Sequence, residues 1–194
     1  MTDRKIEIAE ALHPDFEAKS QQTLDQIKEA YLQDKVSITA SFQSAVDAGL
    51  KKITALQKGK IKYICVSYLF SSLSSGKCEY RIDFYDSNFY LDQVETACYW
   101  EAKFATSLIQ EEYAIFKNLM HKKLIRVMDY EVRNLVIDFG AFYFSTLAFY
   151  FRELIDSVDW KKYNVLLESE VTVIYGGFQD KGIPITVLQN QTEG

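Results

Sequence analysis

The sequence predicts an α+β fold, in which a mainly antiparallel sheet of four to five strands packs against about four helices, one of them buried and rich in aromatic residues. Apolar residues follow helical spacing in residues 1–59 and 97–158, whereas the alternation typical of strands occupies residues 60–96 and 165–188. That order differs from the regular alternation of strand and helix that builds a parallel sheet. With 194 residues, 8 Gly and 2 Pro, the chain is expected to form a single domain without long linkers.

Residues 1–59 are predicted to form an antiparallel helical hairpin. In the first helix, Ile27 and Tyr31 are one helical turn apart and belong to one apolar stripe. A second stripe runs from Ile38 to Leu56, and Asp34 lies between the two stripes as the expected break. Two helices joined by a short break are expected to pack side by side.

Residues 60–96 are predicted to form a β-meander. The segment from Lys60 to Phe70 has β-branched and aromatic residues on both faces, which is typical of a strand in the interior of a sheet. Apolar and polar residues then alternate from Cys78 to Tyr85, so the ionic residues Arg81 and Asp83 are expected on a solvated face opposite the core. A turn and a third strand, up to Thr96, would complete the meander.

Residues 97–158 are predicted to form two helices, and the second contains an aromatic run from Leu135 to Phe151. This run has 17 residues and includes Asp138, whereas a membrane-spanning helix needs about 20 predominantly apolar residues. We therefore expect a buried helix lying on the apolar face of the sheet, and no membrane partner. Residues 165–188, with glycines in the connecting loop, are predicted to form a C-terminal β-hairpin.

The charge and cysteine content exclude several classes of function. The net charge of −5 provides no basic field for a phosphate backbone, so no nucleic-acid partner is expected. The three cysteines, Cys65, Cys78 and Cys98, show no CxxC spacing, which favours a reducing compartment over a disulfide framework. Residues 1–15 lack the apolar run of a signal peptide. A cytoplasmic location is the expectation.

An acidic cluster with one arginine supplies the candidate ligand-binding residues. Arg81 and Asp83 follow each other on one strand face, and Asp86 and Asp92 follow in the predicted turn and return. Carboxylates grouped in this way can hold Mg²⁺ or Ca²⁺, or divide into a general acid and a general base. The structural alternative is that Asp83 pairs with Arg81 or with a cross-strand lysine, while Asp86 is a turn residue.

Asp138 is the fifth candidate residue, because it is an acid on an otherwise apolar helix. A buried carboxylate needs a partner or a raised pKa. Asp138 is therefore either a structural acid, paired with an arginine or a tyrosine hydroxyl, or part of an enclosed pocket.

The familiar metal and phosphate motifs do not fit. In the segment that begins at Asp86, Leu91 stands where a calcium-binding EF-hand loop requires glycine, and Ala97 stands where it requires glutamate. The cysteines and the two histidines show no zinc-ligand spacing, and residues 176–182 have no phosphate-binding glycine pattern. The sequence predicts no metal and no cofactor.

These observations favour a non-enzymatic protein that binds a partner, either a second copy of itself or another protein, since no catalytic motif is found and aromatic residues are abundant. The alternative is a small-molecule-binding protein or an enzyme. Its acidic pocket, with or without a metal ion, would lie beside the sheet and use the five candidate residues.

Overall fold

The computed structural model describes residues 2 to 190 and has an α+β architecture built around one sheet. In chain order the elements are α1 (Thr2–Gln33), α2 (Lys35–Ala55), β1 (Ile61–Tyr68), α3 (Phe70–Ser74), β2 (Glu79–Tyr85), β3 (Ala97–Glu101), α4 (Lys103–Lys123), α5 (Asp129–Ser157), β4 (Leu167–Gly177) and β5 (Gly182–Gln189). Two short 3₁₀ turns, Phe89–Leu91 and Trp160–Leu166, lie between these elements. The α+β prediction is confirmed.

The sheet is mixed rather than purely antiparallel. Its strand order is β3-β2-β1-β4-β5, and the pairs β1–β2, β2–β3 and β4–β5 are antiparallel. The central pair, β1 and β4, is parallel, with Ile64 opposite Val173. This pairing was missed because the two strands are separated by more than ninety residues. The connection from β3 to β4 contains both α4 and α5. No local sequence pattern indicates which strand β4 pairs with after such a long connection.

The core lies between one face of the sheet and the helices. The second half of α5 rests on this face, where the ring of Phe151 is 4.4 Å from that of Tyr80 and 5.3 Å from that of Tyr175. The hydroxyl groups of Tyr80 and Tyr175 are 3.3 Å apart, and Tyr175 donates a hydrogen bond to the carbonyl oxygen of Phe144. A buried tyrosine hydroxyl needs such partners. The prediction that an aromatic helix lies on the sheet therefore agrees with the structure.

The first two helices do not form the predicted hairpin. Only Asp34 separates α1 from α2, and one residue is too short a connection to reverse the chain. α1 packs along α4, and its last turn reaches α5, where the ring of Tyr31 is 4.6 Å from that of Tyr150. α2 lies on the sheet instead, with Gly49 against the ring of Phe84.

The third strand is displaced from its predicted position. Residues 89–91 form a 3₁₀ turn, and β3 begins only at Ala97. Residues 86–96, which we call the β2–β3 loop, fold over the end of the sheet. Trp100, which lies within the range predicted to be helical, belongs to β3 and contacts Phe42 of α2. The alternation within β3 was overlooked because this strand has only five residues.

The aromatic helix α5 begins at Asp129, and Met128 occupies its N-cap position. By length and composition it is apolar enough to cross a membrane, although a core helix can satisfy the same criterion. Its inner stripe, which includes Phe144, Leu147 and Phe151, is fully buried against the rest of the protein. Its outer face is partly apolar as well, and Phe149 is 82% exposed.

The approach of α2 to the sheet can be tested at Gly49. A Cβ atom at this position would lie 2.5 Å from Cε2 of Phe84 and 3.2 Å from Sγ of Cys98, both of which are buried. We expect Gly49→Val to lower the free energy of unfolding by about 2–3 kcal/mol through overpacking. At Gly59 a Cβ atom would meet nothing within 4 Å, so Gly59→Val is the matched control. Equal urea-unfolding midpoints for the two variants would contradict this packing.

Candidate functional site

Arg81 and Asp83 form a covered ion pair on the face of the sheet that points away from α2 and α5. The Nε atom of Arg81 donates to both carboxylate oxygens of Asp83, at 2.9 and 3.0 Å, and Nη2 donates to Oδ1 at 2.7 Å. Asp83 is only 1% exposed. The guanidinium carbon of Arg81 lies 4.8 Å from the ring centroid of Phe178 and 6.0 Å from that of Tyr99.

The prediction that this face is solvated is wrong. The turn after β4 brings Phe178 over Arg81, and the β2–β3 loop brings Phe89 over the ring of Tyr63, with 4.8 Å between centroids. Burial raises the pKa of Asp83, and the hydrogen bonds from Arg81 oppose that rise. Both oxygens of this carboxylate are already occupied by the arginine. The pair is therefore suited to holding the outer sheet face together rather than to binding a metal ion.

Asp92 pairs with Lys58, a residue that the sequence analysis did not select. The side chains of both residues are almost fully buried. The ammonium group of Lys58 forms an ion pair with Asp92 and donates to the carbonyl oxygens of Phe84 and Val94, each at 2.6 Å, and to Oγ1 of Thr96 at 2.9 Å. A lysine thus occupies the position at which the acidic cluster was expected to hold a cation. The residues around Lys58 are typical of the end of a helix. No sequence pattern therefore indicated that Lys58 would pair with Asp92.

Asp86 and Asp92 organise the backbone of the β2–β3 loop. Oδ1 of Asp86 accepts a hydrogen bond from the amide of Asn88 at 2.7 Å, which is the geometry of an Asx turn. Asp92 accepts from the amide of Asp86 at 3.0 Å through Oδ2, and from the amide of Val94 at 2.9 Å through Oδ1. These oxygens satisfy backbone donors, as the structural alternative anticipated for Asp86. Across residues 2 to 190, no group of three or more His, Cys, Asp or Glu side chains is placed to hold a metal ion.

Asp138 lies apart from the other four candidates. It is exposed on α5, so the expectation of a buried carboxylate is wrong. Asp138 is exposed because of the orientation of α5 about its own axis. Neighbouring Phe139 faces the core, which directs position 138 toward the edge of a cavity between helices. The five predicted residues therefore form no common pocket.

A cavity of about 550 Å³ lies between α1, α4 and the first half of α5. Four phenylalanines form its floor: the ring centroid of Phe16 lies 5.6 Å from that of Phe116, 6.0 Å from that of Phe139 and 5.0 Å from that of Phe142. The other apolar lining residues are Ile8, Ala9, Leu12 and Leu135, and the polar rim consists of Arg4, Lys5, Glu10, His13, Tyr130, Glu131, Asn134 and Asp138.

Helical periodicity explains how the sequence builds this cavity. Ile8, Leu12 and Phe16 recur every four residues along one face of α1, and Leu135 and Phe139 do the same on α5. The run that begins at Leu135 was expected to be buried, whereas no expectation was attached to Ile8, Leu12 and Phe16. No sequence pattern predicted a cavity, because the apolar residues that line a cavity and those that fill a core have the same helical spacing.

Arg4 closes one end of the cavity. Its Nε atom donates to Oε1 of Glu131 at 2.8 Å, its Nη1 to Oε2 of Glu7 at 2.8 Å, and its Nη2 to the carbonyl oxygen of Ile125 at 3.0 Å. Glu131 also accepts from the amide of Met128 at 2.7 Å, which caps the start of α5. The hydrogen bonds from Arg4 and from Met128 lower the pKa of Glu131. This network links α1 to the connection between α4 and α5.

A buried polar pair lies next to the phenylalanine floor. Tyr143 donates a hydrogen bond to Oε2 of Glu112, while Oε1 of Glu112 has no hydrogen-bond partner among the described residues. Glu112 is one helical turn from Phe116, and Tyr143 is one turn from Phe139. Burial raises the pKa of Tyr143, so this hydroxyl remains a donor at neutral pH.

Comparisons with protein-family models, with curated proteins and with solved structures give no match for this chain. A functional interpretation must therefore rest on the geometry and chemistry of the residues themselves.

The buried Lys58–Asp92 pair gives a direct test of the loop anchor. We expect Lys58→Met to lower the free energy of unfolding by about 3–5 kcal/mol, because Asp92 is left buried without a counter-ion. The double variant with Asp92→Asn should recover part of that loss. Lys60→Met, at an exposed lysine, is the control and should be close to neutral. Urea denaturation measures all four proteins, and a neutral Lys58→Met would contradict the anchor.

The same pair predicts a dependence of stability on pH. Burial raises the pKa of Asp92, but the hydrogen bonds from Lys58 and from two backbone amides outweigh this, and the pKa is lowered overall. The resulting stabilisation is complete above the unfolded-state pKa of about 3.9 and is lost as the pH falls toward the lower folded-state value. Between about pH 4 and pH 2, Asp92→Asn should therefore lose less stability than the unsubstituted protein. Asp156→Asn, at an exposed residue, should follow the unsubstituted curve in the same thermal melts.

Proposed function

We propose that this chain is a non-catalytic binding protein that holds an amphipathic small molecule in the cavity between α1, α4 and α5. The observation that carries this proposal is a cavity of about 550 Å³ that is lined by four phenylalanines and by polar side chains, most of which are exposed. Ligand sites typically span about 300–1,000 Å³ and combine apolar walls with a few polar groups that orient the ligand. An apolar body would lie on the rings, and a polar end would remain at the rim.

The rim supports recognition of a polar end group. Arg4 and Glu131 are already paired with each other, whereas Lys5, His13 and Asp138 are exposed lining residues, and Nε2 of His13 lies 3.4 Å from Oε1 of Glu17. They can donate or accept hydrogen bonds and can compensate a charge of either sign on the ligand. The polar end is therefore expected to contact water as well as these side chains.

The lining residues favour binding over catalysis. They include no Cys, Ser or Thr that could act as a nucleophile. The three cysteines of the chain are buried elsewhere, and burial raises the pKa of Cys65, Cys78 and Cys98 to about 12, so these thiols are unreactive at neutral pH. The earlier expectation of a protein partner or a second copy stays a prediction, and the cavity function does not require it.

Filling the cavity should abolish binding while leaving the fold intact. Ala9 lines the cavity and is exposed on α1, so Ala9→Trp can place an indole in the cavity without entering the core. We expect the unsubstituted chain to enhance the fluorescence of anilinonaphthalene sulfonate, and decanoate, decanol or decylamine to displace the probe. Ala9→Trp should weaken probe binding by at least about tenfold, or about 1.4 kcal/mol.

Ala48→Trp is the matched control, because Ala48 is an exposed alanine of α2 that lies outside the cavity. It should bind the probe as the unsubstituted chain does. Equal losses in the two variants, or displacement by none of the three ligands, would exclude this cavity as the binding site. The ranking of the carboxylate, alcohol and amine would report which charge the rim prefers.

A further inference from the structure

Three large apolar side chains are exposed within six residues at the connection between α4 and α5. Ile125 is 83% exposed, Met128 54% and Tyr130 51%. Single exposed apolar residues are common on protein surfaces, but a cluster on one short connection marks an interaction surface. We call residues 122–130 the α4–α5 loop; they include the last turn of α4 and the first residues of α5.

The same loop is locally basic in an acidic protein. Lys122, Lys123 and Arg126 are exposed, and Asp129 is the acid in this segment, so the three cations and one anion give +2. The whole chain carries −5. Lys123 also forms an ion pair with Asp15 of α1, whereas Lys122 and Arg126 are exposed residues of the same segment as the exposed apolar side chains. Cations and apolar side chains therefore occupy one continuous stretch of chain.

This loop lies at the end of the proposed ligand cavity. Tyr130 lines the cavity, and Arg4, which also lines it, donates a hydrogen bond to the carbonyl oxygen of Ile125 at 3.0 Å. Whatever contacts the loop is thus positioned beside the opening. An amphipathic molecule with a largely apolar body partitions from water into lipid bilayers, so a bilayer is a physical source of such a ligand.

We propose that the α4–α5 loop docks on the surface of a membrane that contains anionic lipids. Ile125, Met128 and Tyr130 enter the headgroup region, while Lys122 and Arg126 contact the anionic headgroups. The combination favours a bilayer over a protein partner, because interfacial segments need apolar insertion together with positive charge. The expectation of no membrane partner was derived from the absence of a sufficiently long spanning segment, and lying on a membrane is a different mode of contact.

The role of this docking in loading ligand rests on the proposed cavity function. Contact between the loop and the membrane is measured independently of ligand binding. The full chain is mixed with phosphatidylcholine vesicles, with or without phosphatidylglycerol, and the bound fraction is determined by flotation. We expect binding to the mixed vesicles, at least tenfold weaker binding to phosphatidylcholine alone, and a loss of binding at high salt. Ile125→Asp should reduce binding to the mixed vesicles at least tenfold, and so should the charge reversal Lys122→Glu with Arg126→Glu.

Val165→Asp is the matched control, because Val165 is a branched apolar residue that is 80% exposed on the turn before β4. It should bind vesicles as the unsubstituted chain does, and thermal melts establish that every variant is folded. The proposal is overturned if the unsubstituted chain does not float with mixed vesicles, or if Val165→Asp loses as much binding as Ile125→Asp. It is also overturned if the loop variants change only the mass of the protein in solution, since the loop then contacts a second copy.

The two proposals fail in different ways. Ile125→Asp should bind anilinonaphthalene sulfonate in solution as the unsubstituted chain does, because the exposed Ile125 side chain does not line the cavity. Filling the cavity with Ala9→Trp should leave flotation with mixed vesicles unchanged. A chain that floats but binds no probe retains the docking surface and loses the cavity function, and a chain that binds the probe but does not float shows the reverse.

Discussion

The packing of α5 on the sheet is the constraint on which the other features depend. Its second half supplies Phe144 and Phe151 to an aromatic layer with Tyr80 and Tyr175, and buried hydroxyl groups in that layer are satisfied by one another and by a backbone carbonyl. Aromatic contacts of this kind add about 0.5–1.5 kcal/mol each to the hydrophobic term. Once this half is fixed on the sheet, the first half of the same helix packs against α1, α3 and α4, and the cavity forms between it, α1 and α4.

The ionic residues of β2 and of the β2–β3 loop serve mainly to hold the far side of the sheet. Arg81 neutralises Asp83 beneath Phe178, and Lys58 neutralises Asp92 at the end of β2. A buried ion pair adds little net stability but makes the loss of either partner costly, so such pairs act as geometric constraints. They explain why the β2–β3 loop follows a defined path.

The cavity and the α4–α5 loop lie next to each other in the helical layer. They are more apolar than the outer face of the sheet, which is held by ion pairs. The cavity is lined by four phenylalanines and mostly exposed polar side chains, and the adjoining loop exposes apolar and basic side chains to solvent. Arg4 connects the two, because it reaches from α1 to Glu131 of α5 and to the loop carbonyl of Ile125. A ligand in the cavity and a contact at the loop would therefore act on the same few hydrogen bonds.

The sequence by itself determined the α+β class, the aromatic contact of α5 with the sheet and the C-terminal β-hairpin, because these depend on local periodicity and on residues close together in the chain. Tertiary structure decided the parallel pairing of β1 with β4, the burial of Asp83 and the position of Lys58 beside Asp92. It also decided that apolar stripes on α1 and α5 line a cavity rather than fill a core. A period states which face of an element is apolar, but the partner of that face, and any space between them, follows from contacts distant in sequence.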